Sequence, residues 1–163
     1  MTETAAITIA DARGPADIAA ARELFLDYQR GLGFDLAYQG FAEELAGLPG
    51  KYAPPAGRLL LARAGEEAAG VVALRPLEAG ICEMKRLYVR SGFRGRHVGE
   101  ALVERLIADA RAIGYAAMRL DTVAAKMPAA VALYRRTGFG DIPAYYASPI
   151  PGTAYMELRL GSN

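Results

Sequence analysis

Sulfur and imidazole chemistry are almost missing from this chain. Cys82 is the single cysteine, so no intramolecular disulfide can form and zinc has no cysteine ligand set. His97 is the single histidine, so any Ser-His-Asp or Cys-His arrangement would rest entirely on it. No His/Cys/Asp/Glu cluster stands out, and no metal is implied. A dominant charge sign is also missing. Lys+Arg 19 against Asp+Glu 18 leave a formal net charge of +1, without the basic field expected of a nucleic-acid binder. Apolar runs are short, as at residues 59–62 and 71–74. None approaches the ~20 residues that cross a bilayer, so no membrane association is expected. Residues 1–14 have neither a basic start nor a long apolar stretch, so no signal peptide is expected and a cytoplasmic setting follows.

What is present suits one domain. The 163 residues are 53% hydrophobic and 23% charged, enough to bury a core and too apolar for a disordered chain. A strand is predicted at residues 7–10. After Gly14-Pro15, a helix is predicted over about 16–30, with Ile18, Ala21, Leu24, Phe25 and Tyr28 at helical spacing. A short helix fits 41–46, and the segment 51–57, with Pro54-Pro55, reads as a loop. Strands at 58–64 and 69–77 flank a hairpin turn at Gly65-Glu66-Glu67, and 81–90 is a third strand. Residues 98–113 form the clearest helix: Val98, Leu102, Leu106, Ala110 and Ile113 make one stripe, and Gly114 stops it. A strand at 116–122, a short helix at 129–137 ended by Gly138, and strands near 139–144 and 154–160 complete the chain. This order predicts a mixed α/β fold of the α+β type.

The segment from Leu87 to Leu102 carries most of the chemistry. A strand runs into Arg94-Gly95-Arg96-His97-Val98-Gly99, which opens an amphipathic helix. The first turn of a helix leaves N–H groups without partners, and these with the dipole suit an anion such as a pyrophosphate. Lys85, Arg86, Arg90, Arg94 and Arg96 concentrate positive charge here. A solvated basic turn capping a core helix is the alternative. The segment is neither a Walker loop, since no Gly-Lys-Ser/Thr follows, nor a dinucleotide fingerprint, since three correctly spaced glycines are missing.

These residues resemble the GNAT superfamily of acetyl-CoA-dependent N-acetyltransferases. The family loop is Arg/Gln-x-x-Gly-x-Gly/Ala; here Arg94 and Gly99 match, and His97 stands at the usual first glycine. Further on, Ala130-Val131-Ala132-Leu133-Tyr134-Arg135-Arg136-Thr137-Gly138-Phe139 is similar to the family's Ala-x-x-Leu-Tyr-x-x-x-Gly-Phe segment, with Met127 where an Asn often precedes it. The resemblance runs from about residue 60 to 160. It implies a mostly antiparallel central sheet of about 6–7 strands flanked by helices, with a splayed strand pair holding CoA.

The same resemblance implies acetyl-CoA as cosubstrate. It assigns Leu87, Tyr88 and Val89 to the pantetheine arm, and Arg94, Gly95, Arg96, His97, Val98, Gly99 and Glu100 to the pyrophosphate. At His97 the imidazole either turns outward with its N–H still on phosphate, is a neutral surface change, or weakens CoA binding. Tyr134 matches the family tyrosine that protonates the sulfur, the alternative being a core-edge tyrosine. Glu83 is the candidate base, the alternative being an ion pair with Lys85 or an arginine. Strict alternation places Glu83, Lys85, Leu87 and Val89 on one face and Met84, Arg86 and Tyr88 on the other, unless a bulge intervenes. Cys82 reads as a buried strand residue. Asp121-Thr122 either face the cleft or cap a strand end.

The acceptor, a small-molecule or peptide amine, is expected between the early helices and the last hairpin. Phe34, Asp35, Tyr38, Glu43, Tyr145 and Tyr146 are its candidate walls. The enzyme reading competes with a non-catalytic CoA-binding sensor module. A homodimer through the terminal strand is left open, as is acetyl against a longer acyl donor.

Overall fold

The structure, a computed structural model, describes residues 5–161, so the chain's first four residues, part of the N-terminal reading above, lie outside it. Among the described residues seven strands and four α-helices follow in this order: β1 (Ile7–Asp11), α1 (Gly14–Leu32), α2 (Phe41–Ala46), β2 (Arg58–Ala64), β3 (Glu67–Glu78), β4 (Ile81–Val89), α3 (Val98–Ile113), β5 (Ala117–Val123), α4 (Pro128–Thr137), β6 (Gly140–Ile142) and β7 (Thr153–Arg159). Among the described residues no helix is long and apolar enough to cross a membrane.

The helix ends follow local chemistry. Pro15 at the start of α1 fits a first turn that has no use for its N–H. Asp17 Oδ2 accepts from the Arg13 amide at 2.8 Å, and this bond with the Arg63 guanidinium holds its carboxyl below the usual range. The helix runs past the predicted residue 30 because Leu32 is buried, and Gly33 ends it at φ 77°. β6 is shorter than predicted, leaving Tyr145 and Tyr146 on an irregular connection to β7.

The strands form one sheet in the order β1-β2-β3-β4-β5-β7-β6. All neighbours are antiparallel except β4 and β5, which α3 joins in parallel. One face packs under α3 and α4 through Leu60, Val72, Leu102, Leu106, Met118 and Met156. The other packs under α1 and α2 through Leu24, Phe25, Leu59, Leu61 and Val71. Gly70 leaves no room for a side chain between β4 and α3: a Cβ there would stand 2.9 Å from the Tyr88 carbonyl and 3.2 Å from Leu102.

Two irregularities in β4 shape the centre of the molecule. β4 pairs with β5 only over Ile81–Ala117, Cys82–Met118 and Glu83–Arg119, and then the two strands part. β4 also bulges: Val71 faces Tyr88 while Ala73 faces Lys85, so β4 carries one extra residue, and Arg86 takes a left-handed φ of 63°. The bulge corrects the expected alternation. Leu87 and Val89 turn to the face of Cys82 and Met84, under α3 and α4, whereas Arg86 joins Glu83 and Lys85 on the face of α2.

Candidate active site

The parting of β4 from β5 opens three adjoining cavities across the sheet. The first, about 630 Å³, lies between the end of β4, the loop to α3 and the start of α4. Leu87, Tyr88, Val89, Arg94, Gly95, His97, Val98, Gly99 and Glu100 line it. Among the described residues, the six successive amides from Gly95 to Glu100 donate to no protein acceptor; the first paired one is Ala101, on the His97 carbonyl at 3.0 Å. Two left-handed residues curl this run, Gly95 at φ 81° and His97 at φ 59°. Glycine reaches that region freely and histidine does so at a cost. The His97 ring is 85% exposed, and its Nδ1 lies 3.2 Å from Glu100 Oε2, so the imidazole stands outside the concavity of the loop. A concave row of unpaired amides at a helix start is an anion site.

The expected basic cluster is dispersed by the fold. Lys85 and Arg86 are buried on the opposite face. Arg90 lies 3.7 Å from Asp27 and 3.9 Å from Glu23. Arg96 is not among the residues lining this cavity: it donates to the Ala5 carbonyl at 2.8 Å and lies over Phe93. Arg94 remains, and Lys126 and Arg136 join it from the far wall. The sequence reading did not single out these two; their position flanking the Ala-x-x-Leu-Tyr segment is the signal that could have found them.

The second cavity is a slot of about 30 Å³ where β4 and β5 separate, the scale of a single water. It shares Tyr28, Leu32, Leu87 and Met127 with the first. Tyr134 enters it from α4 and packs on Phe139 with ring centroids 5.8 Å apart. The residue is 6% exposed, and among the described residues its hydroxyl has no hydrogen-bond partner. Burial pushes its pKa well above the ordinary phenol value, so it holds its proton. Thr122 Oγ1, also in the slot, is buried without a partner. Asp121 and Thr122 sit within β5, not at its end, and line the slot; the Tyr146 hydroxyl donates to Asp121 Oδ2.

The third cavity, about 540 Å³, lies on the α2 side and shares Tyr38, Gln39 and Lys85 with the slot. Of the candidate acceptor walls, Tyr38, Glu43, Tyr145 and Tyr146 line it, whereas Phe34 lines the slot and Asp35 accepts from the Ala37 amide at 2.9 Å. Glu83 is 2% exposed on its floor. Arg75 Nε and Nη2 each lie 2.8 Å from Glu83 Oε1, and Tyr145 donates to Oε2 at 2.6 Å. Beneath, Arg86 forks onto Glu44 with bonds of 2.9 and 2.8 Å and reaches Gln39 at 2.7 Å. Lys85 donates to Gln39 at 3.0 Å; burial and the neighbouring Arg86 charge lower its pKa.

A mixed sheet with one parted parallel pair thus carries a turn of unpaired amides at its mouth and a phenol in the gap. Residues 19–139 match the family described as Acetyltransferase (GNAT) family, and the chain belongs to it. It is 40% identical over 162 residues to an uncharacterized N-acetyltransferase of Schizosaccharomyces pombe, covering 98% of this chain and 99% of that one. A GNAT acetyltransferase structure from Staphylococcus aureus superposes with TM-score 0.80 at 20% identity, over 96% of this chain and 100% of that one. The PaiA N-acetyltransferase of Thermoplasma acidophilum, in complex with coenzyme A, superposes with TM-score 0.71 at 17% identity, over 94% and 99%.

Proposed function

We propose that this chain transfers an acetyl group from acetyl-CoA to a primary amine of a small molecule or peptide, by direct attack while both are bound. The observation that carries this is the row of three cavities: an anion-binding turn, a slot holding an unpartnered phenol, and a polar pocket on the far face. The six unpaired amides and the outward His97 fit a pyrophosphate, and the complex of the Thermoplasma relative with coenzyme A supports the same occupant.

Bound acetyl-CoA would supply an activated thioester carbonyl with a thiol leaving group. The amides of residues 95–100, with Arg94, would hold its pyrophosphate. Arg96 contributes through its amide alone, because its guanidinium is engaged elsewhere. Past Glu83 the β5-facing edge of β4 has no strand partner, so Leu87, Tyr88 and Val89 offer backbone groups to the pantetheine arm and to the acyl oxygen. Tyr134 would keep its proton at Oη until the sulfur leaves. Of the carboxylates that border the acceptor's path, Glu83 lies in the far pocket nearest the parted strands and Asp121 lies in the slot itself.

The test is thiol release from acetyl-CoA with a panel of primary amines, run with Tyr134→Phe beside the unaltered protein. The variant should lose about 10²-fold in kcat, the low end for a general acid, while its acetyl-CoA affinity holds. Full kcat in Tyr134→Phe removes the acid role. No thiol release with any amine removes the enzymatic reading.

A further inference from the structure

We propose that Asp121, not Glu83, receives the acceptor's ammonium group and takes its proton. This inference rests on the acetyl-transfer reading above and names the residue that makes the amine reactive.

The two carboxylates sit in opposite surroundings. Glu83 lies level with the last β4–β5 pair, below the parting. Its charge is already matched by Arg75, and both oxygens accept hydrogen bonds, from Arg75 and from Tyr145. A carboxylate so satisfied has no free oxygen for an ammonium group, and taking a proton would break those contacts. Asp121 lies two residues further along β5, where the strands have separated. It has no cation within salt-bridge distance among the described residues, and only its Oδ2 is engaged, by the Tyr146 hydroxyl. Oδ1 is left for a ligand in the slot that also holds Tyr134. The buried, unpartnered Thr122 Oγ1 lines that slot as well, a second polar atom that needs a partner there.

The neighbours of Asp121 suit a cation. Tyr145, Tyr146 and Tyr155 pack edge to face around it, with centroids 5.2, 5.4 and 5.7 Å apart. Tyr28 of α1, Tyr38 and Tyr134 of α4 border the same slot. The cations facing it are Lys85 and Arg86 of β4; Arg86 is committed to Glu44 and Gln39, and Lys85 to Gln39. Phenol rings around an unpaired carboxylate make a receptor for an ammonium group.

The proton inventory closes. The amine nitrogen forms the C–N bond with its lone pair, and the C–S bond breaks. Of the three ammonium protons, one stays on the amide nitrogen and one passes to Asp121 Oδ1 and then to solvent. The third replaces the proton that Tyr134 gives to the sulfur.

The experiment compares the unaltered protein with Asp121→Asn, Tyr146→Phe and Glu83→Gln, using benzylamine, diaminobutane and alanine amide as probes. Thiol release is followed against pH, and benzylamine binding is measured by calorimetry without acetyl-CoA. Asp121→Asn should lower kcat/KM by about 10²–10⁴-fold at neutral pH. The loss should shrink as pH rises and the amine deprotonates in solution. Benzylamine binding should weaken at least tenfold. Tyr146→Phe removes a donor to the ionised carboxylate, so the acidic limb of the profile should move to higher pH. Glu83→Gln should leave the position of that limb in place, whatever it does to KM. An unshifted profile with undiminished benzylamine binding in Asp121→Asn overturns the proposal, as does a limb that moves with Glu83→Gln instead. No thiol release by the unaltered protein overturns the acetyl-transfer reading and this inference with it.

Discussion

Replacing Glu44 by alanine would leave the Arg86 guanidinium charged and without its carboxylate, in a site where its side chain is 2% exposed. Two hydrogen bonds, of 2.9 and 2.8 Å, would be lost together. What remains is Gln39 at 2.7 Å and the Phe41 ring 5.1 Å away, neither of which carries the opposing charge. Breaking a buried pair by removing one partner costs about 3–5 kcal/mol, and Glu44 borders the 540 Å³ cavity, where water can enter, so the low end applies. In a chain of this size each kcal/mol moves Tm by about 2–4 °C, so Glu44→Ala should melt roughly 6–12 °C below the unaltered protein. Thermal unfolding at neutral pH reads this directly. The double variant Glu44→Ala with Arg86→Met should recover more than half of the loss, because no charge is then left buried. A Tm drop under about 2 °C, or a double variant no better than the single one, would refute the reasoning. It would mean that the guanidinium finds water or another anion without disturbing the bulge in β4.

Three further outcomes follow from the geometry. His97→Gly should raise stability by up to about 1 kcal/mol, since a non-glycine residue at φ 59° is strained; a lower Tm would show that the imidazole holds the loop. Burial pushes the Cys82 thiol up to about 12, so an aromatic disulfide reagent at pH 8 should label it only after unfolding. Fast stoichiometric labelling of the native protein would contradict its place in the core. Lys85 has a folded pKa below its unfolded value, so the folded state gives up that proton first as pH rises. Its burial therefore opposes folding at neutral pH, and that penalty is relieved between the folded and unfolded pKa values. Removing the charge with Lys85→Met should flatten this alkaline gain in a pH series of denaturant midpoints; an unchanged slope would assign the gain elsewhere.

Most of the fold was legible because its signals are local. The stripe in α3 and the glycines at its end and at the end of α4 are helix chemistry readable within a few residues. The bulge at Arg86 was not legible. Nothing in Lys85-Arg86-Leu87 distinguishes a regular strand from one with an extra residue; the choice is made by Glu44 and Gln39, more than forty positions away. The same distance effect dispersed the basic cluster. Consecutive cations read as one patch in the sequence, but the pleat and the bulge send Lys85 and Arg86 to one face while Arg94 lines the other cavity. The loop before α3 and Tyr134 could be marked by their motifs. The contrast between Glu83 and Asp121 could not, because it depends on Arg75 and on the Tyr145-Tyr146 pair, which come from two other parts of the chain.

The most direct measurement is a calorimetric titration of the CoA-free protein with acetyl-CoA, repeated at higher salt. The loop with six unpaired amides should bind one acetyl-CoA per chain with micromolar affinity that weakens as salt rises. No saturable heat at high micromolar acetyl-CoA would mean that the turn before α3 does not hold a pyrophosphate, and the acetyl-transfer reading would fall with it.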